Sequence, residues 1–138
     1  MKAYQHTQQA TAIVVGMMVM SVVFAVIAFA TLRALLVGVP IFLLSAWLFN
    51  SLTIEIDERE LRWRFGPGLV HKAVPLDAIA SARQVRTNIL EGWGIHLSRY
   101  GWLYNVSGCD AVEVTLKSGK RFALGTDEPQ ALAAALRR

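Results

Sequence analysis

Leu52-Thr53-Ile54-Glu55-Ile56-Asp57 is followed, across Glu58-Arg59, by Leu61-Arg62-Trp63-Arg64-Phe65. Apolar residues hold the even positions of the first run and the odd positions of the second. A period of two with one apolar face predicts two half-buried strands, and the charged dipeptide between them predicts their turn. In that hairpin Glu55 stands opposite Arg62 on the outer face. The charges here therefore read first as cross-strand pairs, each contributing about 0.2–1 kcal/mol, and only second as a binding surface for Arg62 and Arg64.

Upstream of Leu52 the pattern is different. Between Thr11 and Phe49 the only charge is Arg33. Thr11 to Leu32 is a run of 22 uncharged residues, which as helix spans roughly 33 Å against a hydrocarbon core of about 30 Å. Ala34 to Phe49 adds 16 more, with Asn50 and Ser51 available to lengthen a second helix. One helix over all 39 residues from Thr11 to Phe49 would be about 58 Å long and would hold Arg33 in hydrocarbon. The expected arrangement is a transmembrane hairpin with helices at about 11–32 and 34–51 and a tight turn near Ala30 to Ala34, in preference to a single span. Pro40 then bends the second helix without ending it. The run is too long, and the positive residues before it too few, for a cleaved signal peptide. Arg59, Arg62, Arg64 and Lys72 follow the second helix and Lys2 precedes the first. The positive-inside rule then predicts a multi-pass protein of the bacterial inner membrane with both termini cytoplasmic and the lipid bilayer as a partner. The chain divides on this reading into an anchor at 1–51 and a domain at 52–138.

Downstream, Gly66-Pro67-Gly68 predicts a turn and Leu69 to Pro75 a third strand. Ile79 to Thr87 gives a weaker fourth, and the Gly-rich, aromatic run from Gly92 to Gly108 holds short strands around Gly94–Leu97 and Trp102–Val106. Ala111 to Lys117 alternates cleanly, with Val112, Val114 and Leu116 inward and Glu113, Thr115 and Lys117 outward. Ser118-Gly119 turns the chain into Lys120 to Leu124. Asp127-Glu128-Pro129-Gln130 resembles a capping box with the Asp127 carboxylate at the N-cap, opening a helix that runs to the end of the chain. About seven short antiparallel strands followed by one helix is the order of a pleckstrin-homology-type barrel.

The soluble part resembles the bacterial pleckstrin-homology-like domains of small membrane proteins. The resemblance rests on Phe65-Gly66-Pro67-Gly68, Val74-Pro75-Leu76-Asp77-Ala78-Ile79, Gly92-Trp93-Gly94-Ile95, Gly101-Trp102-Leu103-Tyr104-Asn105-Val106-Ser107-Gly108 and Gly125-Thr126-Asp127-Glu128-Pro129. It implies a PH-like split β-barrel, capped by the C-terminal helix and carried behind an α-helical transmembrane hairpin, and implies little about activity. Phosphoinositide recognition is not implied, because Glu55 to Glu60 carries four acids beside one Arg.

Charge and motif content restrict function further. From Ser51 onward twelve Lys and Arg face ten Asp and Glu, interleaved along strands, so the sequence pI of about 9.6 does not indicate a nucleic-acid surface. Cys109 is the only cysteine, which excludes an intrachain disulfide or a Cys-based metal site. His6, His71 and His96 fall in separate elements without ligand spacing, and neither a nucleophile elbow nor a phosphate loop is present. No catalytic residue, metal or cofactor is expected. The stretch from Trp93 to Tyr104, with Asn105 beyond it, gathers Trp93, His96, Arg99, Tyr100, Trp102 and Tyr104. These types carry interface energy or lie at headgroup depth; the plainer alternative is that Trp102 and Tyr104 point into the core. The leading expectation is a non-catalytic, membrane-tethered interaction module binding a partner protein or its own copy. The alternative is a lipid- or small-ligand-binding sensor with Arg83, Arg86 and Arg99 on an anion.

Overall fold

A computed structural model gives the fold and describes residues 4–30, 37–91 and 94–137. In chain order the elements are β1 (Tyr4–Gln9), α1 (Thr11–Ala30), α2 (Gly38–Leu48), β2 (Ser51–Ile56), β3 (Glu60–Phe65), β4 (Val70–Pro75), β5 (Ile79–Arg86), β6 (Gly94–Ser98), β7 (Gly101–Asn105), β8 (Asp110–Leu116), β9 (Arg121–Gly125) and α3 (Pro129–Leu136). They form a four-stranded sheet, β1-β2-β3-β4, and a five-stranded sheet, β5-β8-β9-β7-β6. The pairing is antiparallel throughout except between β7 and β9, which run parallel.

The opening hairpin forms in the expected register, with Glu55 opposite Arg62 and Ile54 opposite Trp63. Leu52, Ile54, Ile56, Leu61, Trp63 and Phe65 are all buried. They meet Val112, Val114, Phe122 and Leu124 from the second sheet in one core, which Leu132 and Ala133 of α3 complete. The turn residues are held locally. The backbone N–H groups of Arg59 and Glu60 donate to Asp57 Oδ1 at 2.8 and 2.9 Å, and Arg62 bonds its other oxygen. These donors lower the Asp57 carboxyl from 3.8 to about 2, the Arg59 amide contributing most.

Three expectations are corrected. The first is the membrane hairpin. Among the described residues no helix is long and apolar enough to cross a membrane. The sequence reading took the whole uncharged run as helix. In the structure α2 has 11 residues, about 16 Å of helix and half of a ~30 Å core. Phe49 and Asn50 leave the helix, and Ser51 and Leu52 are captured by pairing with β1 and β3. The multi-pass placement in a bacterial inner membrane and the cytoplasmic assignment of both termini rested on that hairpin and fall with it. Of the turn expected near Ala30 to Ala34, all but Ala30, Arg33 included, lies outside the described residues. The two helices do pack on each other: the Phe24 and Phe42 rings are 5.1 Å apart, and a Cβ on Gly38 would stand 3.0 Å from the Phe24 ring.

The second correction is closure. The sheets are not closed into a barrel, because no backbone pairing joins β4 to β6 across the gap between the two sheets. Nine strands are present among the described residues, and one of the additional ones is β1, whose six residues pair with β2 from Tyr4↔Ile56 to Gln9↔Ser51. The α1–α2 pair is thus the long connection of a β-hairpin.

The third concerns α3, which opens at Pro129 with Glu128 as N-cap and no side-chain capping bond. The Asp127 carboxylate expected to cap it, and that of Glu128, are drawn to β1. His6 bonds Asp127 and lies 3.2 Å from Glu128 Oε2, and the Tyr4 hydroxyl donates to Glu128 at 3.2 Å. Burial first, and Glu128 second, hold the Tyr4 hydroxyl well above its ordinary pKa.

Candidate functional site

The cross-strand register of β6 and β7 determines which side chains share a face. Ile95 stands opposite Tyr104 and Leu97 opposite Trp102, so alternation places these four on one side of the sheet and His96 with Leu103 on the other. On the first side they meet β3 and β4 across the open gap. Tyr104 is buried there, its ring 5.2 Å from Trp63 edge to face and 6.4 Å from Phe65, while Trp63 stacks on Phe122 at 4.9 Å. These rings form the floor of a cleft of about 170 Å3 whose walls are Val70, His71 and Lys72 of β4 and Ile95 and Trp102 of β6 and β7.

The cleft is apolar with one basic rim. Lys72 Nζ lies 5.6 Å from the Tyr104 ring centroid, a cation–π geometry, and His71 Nδ1 lies 2.9 Å from the Gly68 carbonyl oxygen. Leu97, outside the cleft mouth, is 71% exposed and Trp102, on the cleft wall, 51%, and they form a cross-strand pair of large apolar side chains in contact with solvent. Gly101 makes this placement possible. It has φ +88°, and a Cβ there would fall 2.1 Å from the Arg121 carbonyl oxygen, so β7 can approach β9 this closely only without a side chain.

Gly66 plays the corresponding part on the other wall. With φ +45° it brings the β3–β4 turn within 2.5 Å, measured from a notional Cβ, of the Leu48 carbonyl oxygen at the end of α2. Phe49 then packs against Phe65 at 5.3 Å between ring centroids. The cleft therefore adjoins the base of the helix pair. There a second, larger groove of about 570 Å3 runs between Ile13, Met17, Phe42 and Phe49 and reaches Gly94 at the start of β6.

The residues singled out in the sequence fall into separate groups. Trp102 and Tyr104 belong to the cleft. Trp93 lies outside the described residues. Arg99, Tyr100 and Arg86 form a knot at the β6–β7 turn: Arg99 donates to the Arg86 carbonyl at 3.0 Å, the Tyr100 hydroxyl donates to the same oxygen at 3.3 Å, Arg99 Nε reaches Glu91 at 3.3 Å, and the guanidinium sits 4.9 Å above the Tyr100 ring. His96 is on this side, and its Nε2 is buried without a hydrogen-bond partner among the described residues. Asn105 is fully buried and structural. Its Nδ2 donates to the Gly108 carbonyl at 3.0 Å and its Oδ1 accepts from Ser107 at 3.2 Å, and a Cβ on Gly125 would collide with that oxygen. Arg83 is committed to Glu113 at 3.1 Å, which raises its pKa further. Glu113, expected on the outer face, is instead buried between Arg83 and Arg121.

The sequence reading passed over Lys72, His71, Val70 and Leu97. A signal existed for Leu97: Gly94-Ile95-His96-Leu97-Ser98 alternates, so Leu97 must share a face with Ile95. Among the described residues no cluster of His, Cys, Asp and Glu is placed to hold a metal ion. No family model, no curated protein and no solved structure matches the chain.

Proposed function

We propose that this protein is a non-catalytic interaction module whose docking surface is the β6–β7 face with its adjoining cleft. The observation that carries the reading is the Leu97–Trp102 pair, exposed beside an aromatic-floored cleft. Aromatic and aliphatic anchors next to a concavity are what an interface core uses, and Trp is enriched among residues whose truncation weakens binding most. Two of the three basic residues of the anion-sensor alternative have internal employment, Arg83 on Glu113 and Arg99 on Glu91. A photo-crosslinking residue in place of Leu97 in the full chain should yield a discrete protein adduct in cells, and the same residue in place of Lys117 should not. Equal labelling from both positions would contradict the reading.

A second reading has its own observation. The α1–α2 pair is apolar on every side, and its two serines are satisfied within the helices: Ser21 Oγ donates to the Met17 carbonyl and Ser45 Oγ to the Ile41 carbonyl, both at 2.8 Å. Such a surface suits contact with lipid acyl chains, where an unbonded polar group is costly. Vesicle flotation of the full chain tests it. Flotation that persists at high salt supports apolar lipid contact, and a chain that stays at the bottom of the gradient excludes it.

A further inference from the structure

The open gap between the sheets exposes strand edges, and the four outer strands are not equally protected. Edges are usually blunted by charge, proline, bulges or a covering element. Strand β4 carries Lys72 and ends in Pro75. Strand β5 carries Arg83 and Arg86, has a register shift between Ile79 and Ser81, and bonds α3 through Arg137 Nε and the Ala82 carbonyl at 3.3 Å. Strand β1 is tied by Tyr4 and His6 to the segment before α3 and by Gln8 to the Ser107 carbonyl. Strand β6, Gly94–Ser98, like β1 has neither lysine, arginine, proline nor bulge, but unlike β1 it has no side-chain bond, among the described residues, to an element outside its own hairpin, and together with β4 it borders the cleft.

Charge decides the partner's chemistry. Arg62, Arg64, Arg83, Arg99 and Arg121 each have a carboxylate within 4 Å, whereas Lys72 at the cleft mouth makes no ion pair among the described residues. The cleft volume of about 170 Å3 is close to that of a ~150 Å3 apolar cavity that admits benzene, so it accepts one aromatic or branched aliphatic side chain. We propose that an extended segment of a partner protein adds as a strand to the β6 edge, seats one such side chain in the cleft and sets a flanking carboxylate against Lys72. Backbone pairing supplies affinity and the cleft selects the side chain. A second copy pairing β6 on β6 fits less well, since Gly94–Ser98 offers no carboxylate. This proposal rests on the docking face proposed above.

The test uses the full chain and a displayed library of random nine-residue peptides. Selection should converge on an apolar residue with Asp or Glu within two positions. For the synthetic consensus peptide, Lys72→Glu should weaken binding at least tenfold and restore it when the peptide acid is exchanged for Lys. Leu97→Lys, at an exposed position, should also weaken it, while Lys117→Glu changes nothing. Failure to converge, a consensus without an acid, or indifference to Lys72→Glu overturns strand addition. So does a dimer that Leu97→Lys dissociates, which would put a second copy on the edge. Crosslinking from Leu97 without an acidic–apolar consensus leaves the docking face standing and removes only this inference.

Discussion

Leu61, in a strand that alternates with charged residues, is fully buried, whereas Val26 and Phe29, in the uncharged run of α1, are 64% and 94% exposed. The sheets cover their apolar residues internally because alternation sends them to one side and a second sheet meets that side. The helices have apolar residues on every side and, beyond their base at Ile13 and Phe49, pack mainly on one another. Hydropathy alone therefore identifies surface that needs a cover, and periodicity determines whether the chain supplies that cover. The same contrast recurs within the β domain: Tyr104 and Trp102 share a face of β7, but Trp63 and Phe65 lie over Tyr104 only, and Trp102 projects past them.

The contrast is broken most strongly in the core. Trp63→Ala removes the ring that touches both Tyr104 and Phe122 and should destabilise the fold by about 3–5 kcal/mol, measured by denaturant titration. Next is Glu113→Ala, which removes the shared partner of Arg83 and Arg121 and should lose about 2 kcal/mol. Removing an apolar group from the helix surface sharpens the comparison, because Val26→Ala should change fold stability by less than about 0.5 kcal/mol while lowering vesicle or partner binding. The smallest effect is acid titration of the β2–β3 turn. The Asp57 carboxyl is depressed to about 2, so its contribution is complete above 3.8 and is lost as pH falls toward 2. The amides of Arg59 and Glu60 should lose exchange protection over that interval, and Asp57→Asn should abolish the pH dependence.

Strands β2, β3 and β8 were legible because their alternation is strict, and β9 because the Ser118-Gly119 turn returns the chain along β8. Strand β1 was not: Tyr4-Gln5-His6-Thr7-Gln8-Gln9 carries no apolar period, and it is placed by backbone pairing to β2 and by His6 and Tyr4 reaching Asp127 and Glu128. The helical run and its division in two were visible, but the end of the second helix was not, since α2 stops at Leu48 and β2 takes Ser51 through long-range pairing. Alternation placed Glu113 outward, and that much is right about its face; Arg83 and Arg121 then cover it. The aromatic stretch was recognised as exceptional, yet its separation into a cleft face and an Arg99–Tyr100 knot depends on the β6–β7 register. Lys72 gains meaning only when β4 is seen beside β7.

The most direct test of the docking face is carbene footprinting of the full chain, purified and in cell extract. The account predicts that Leu97 and Trp102 label strongly in the purified chain and lose most of that label in extract, while Leu69 at the β3–β4 turn keeps its own. Unchanged labelling of Leu97 and Trp102 in extract, or a loss shared equally by Leu69, would contradict it.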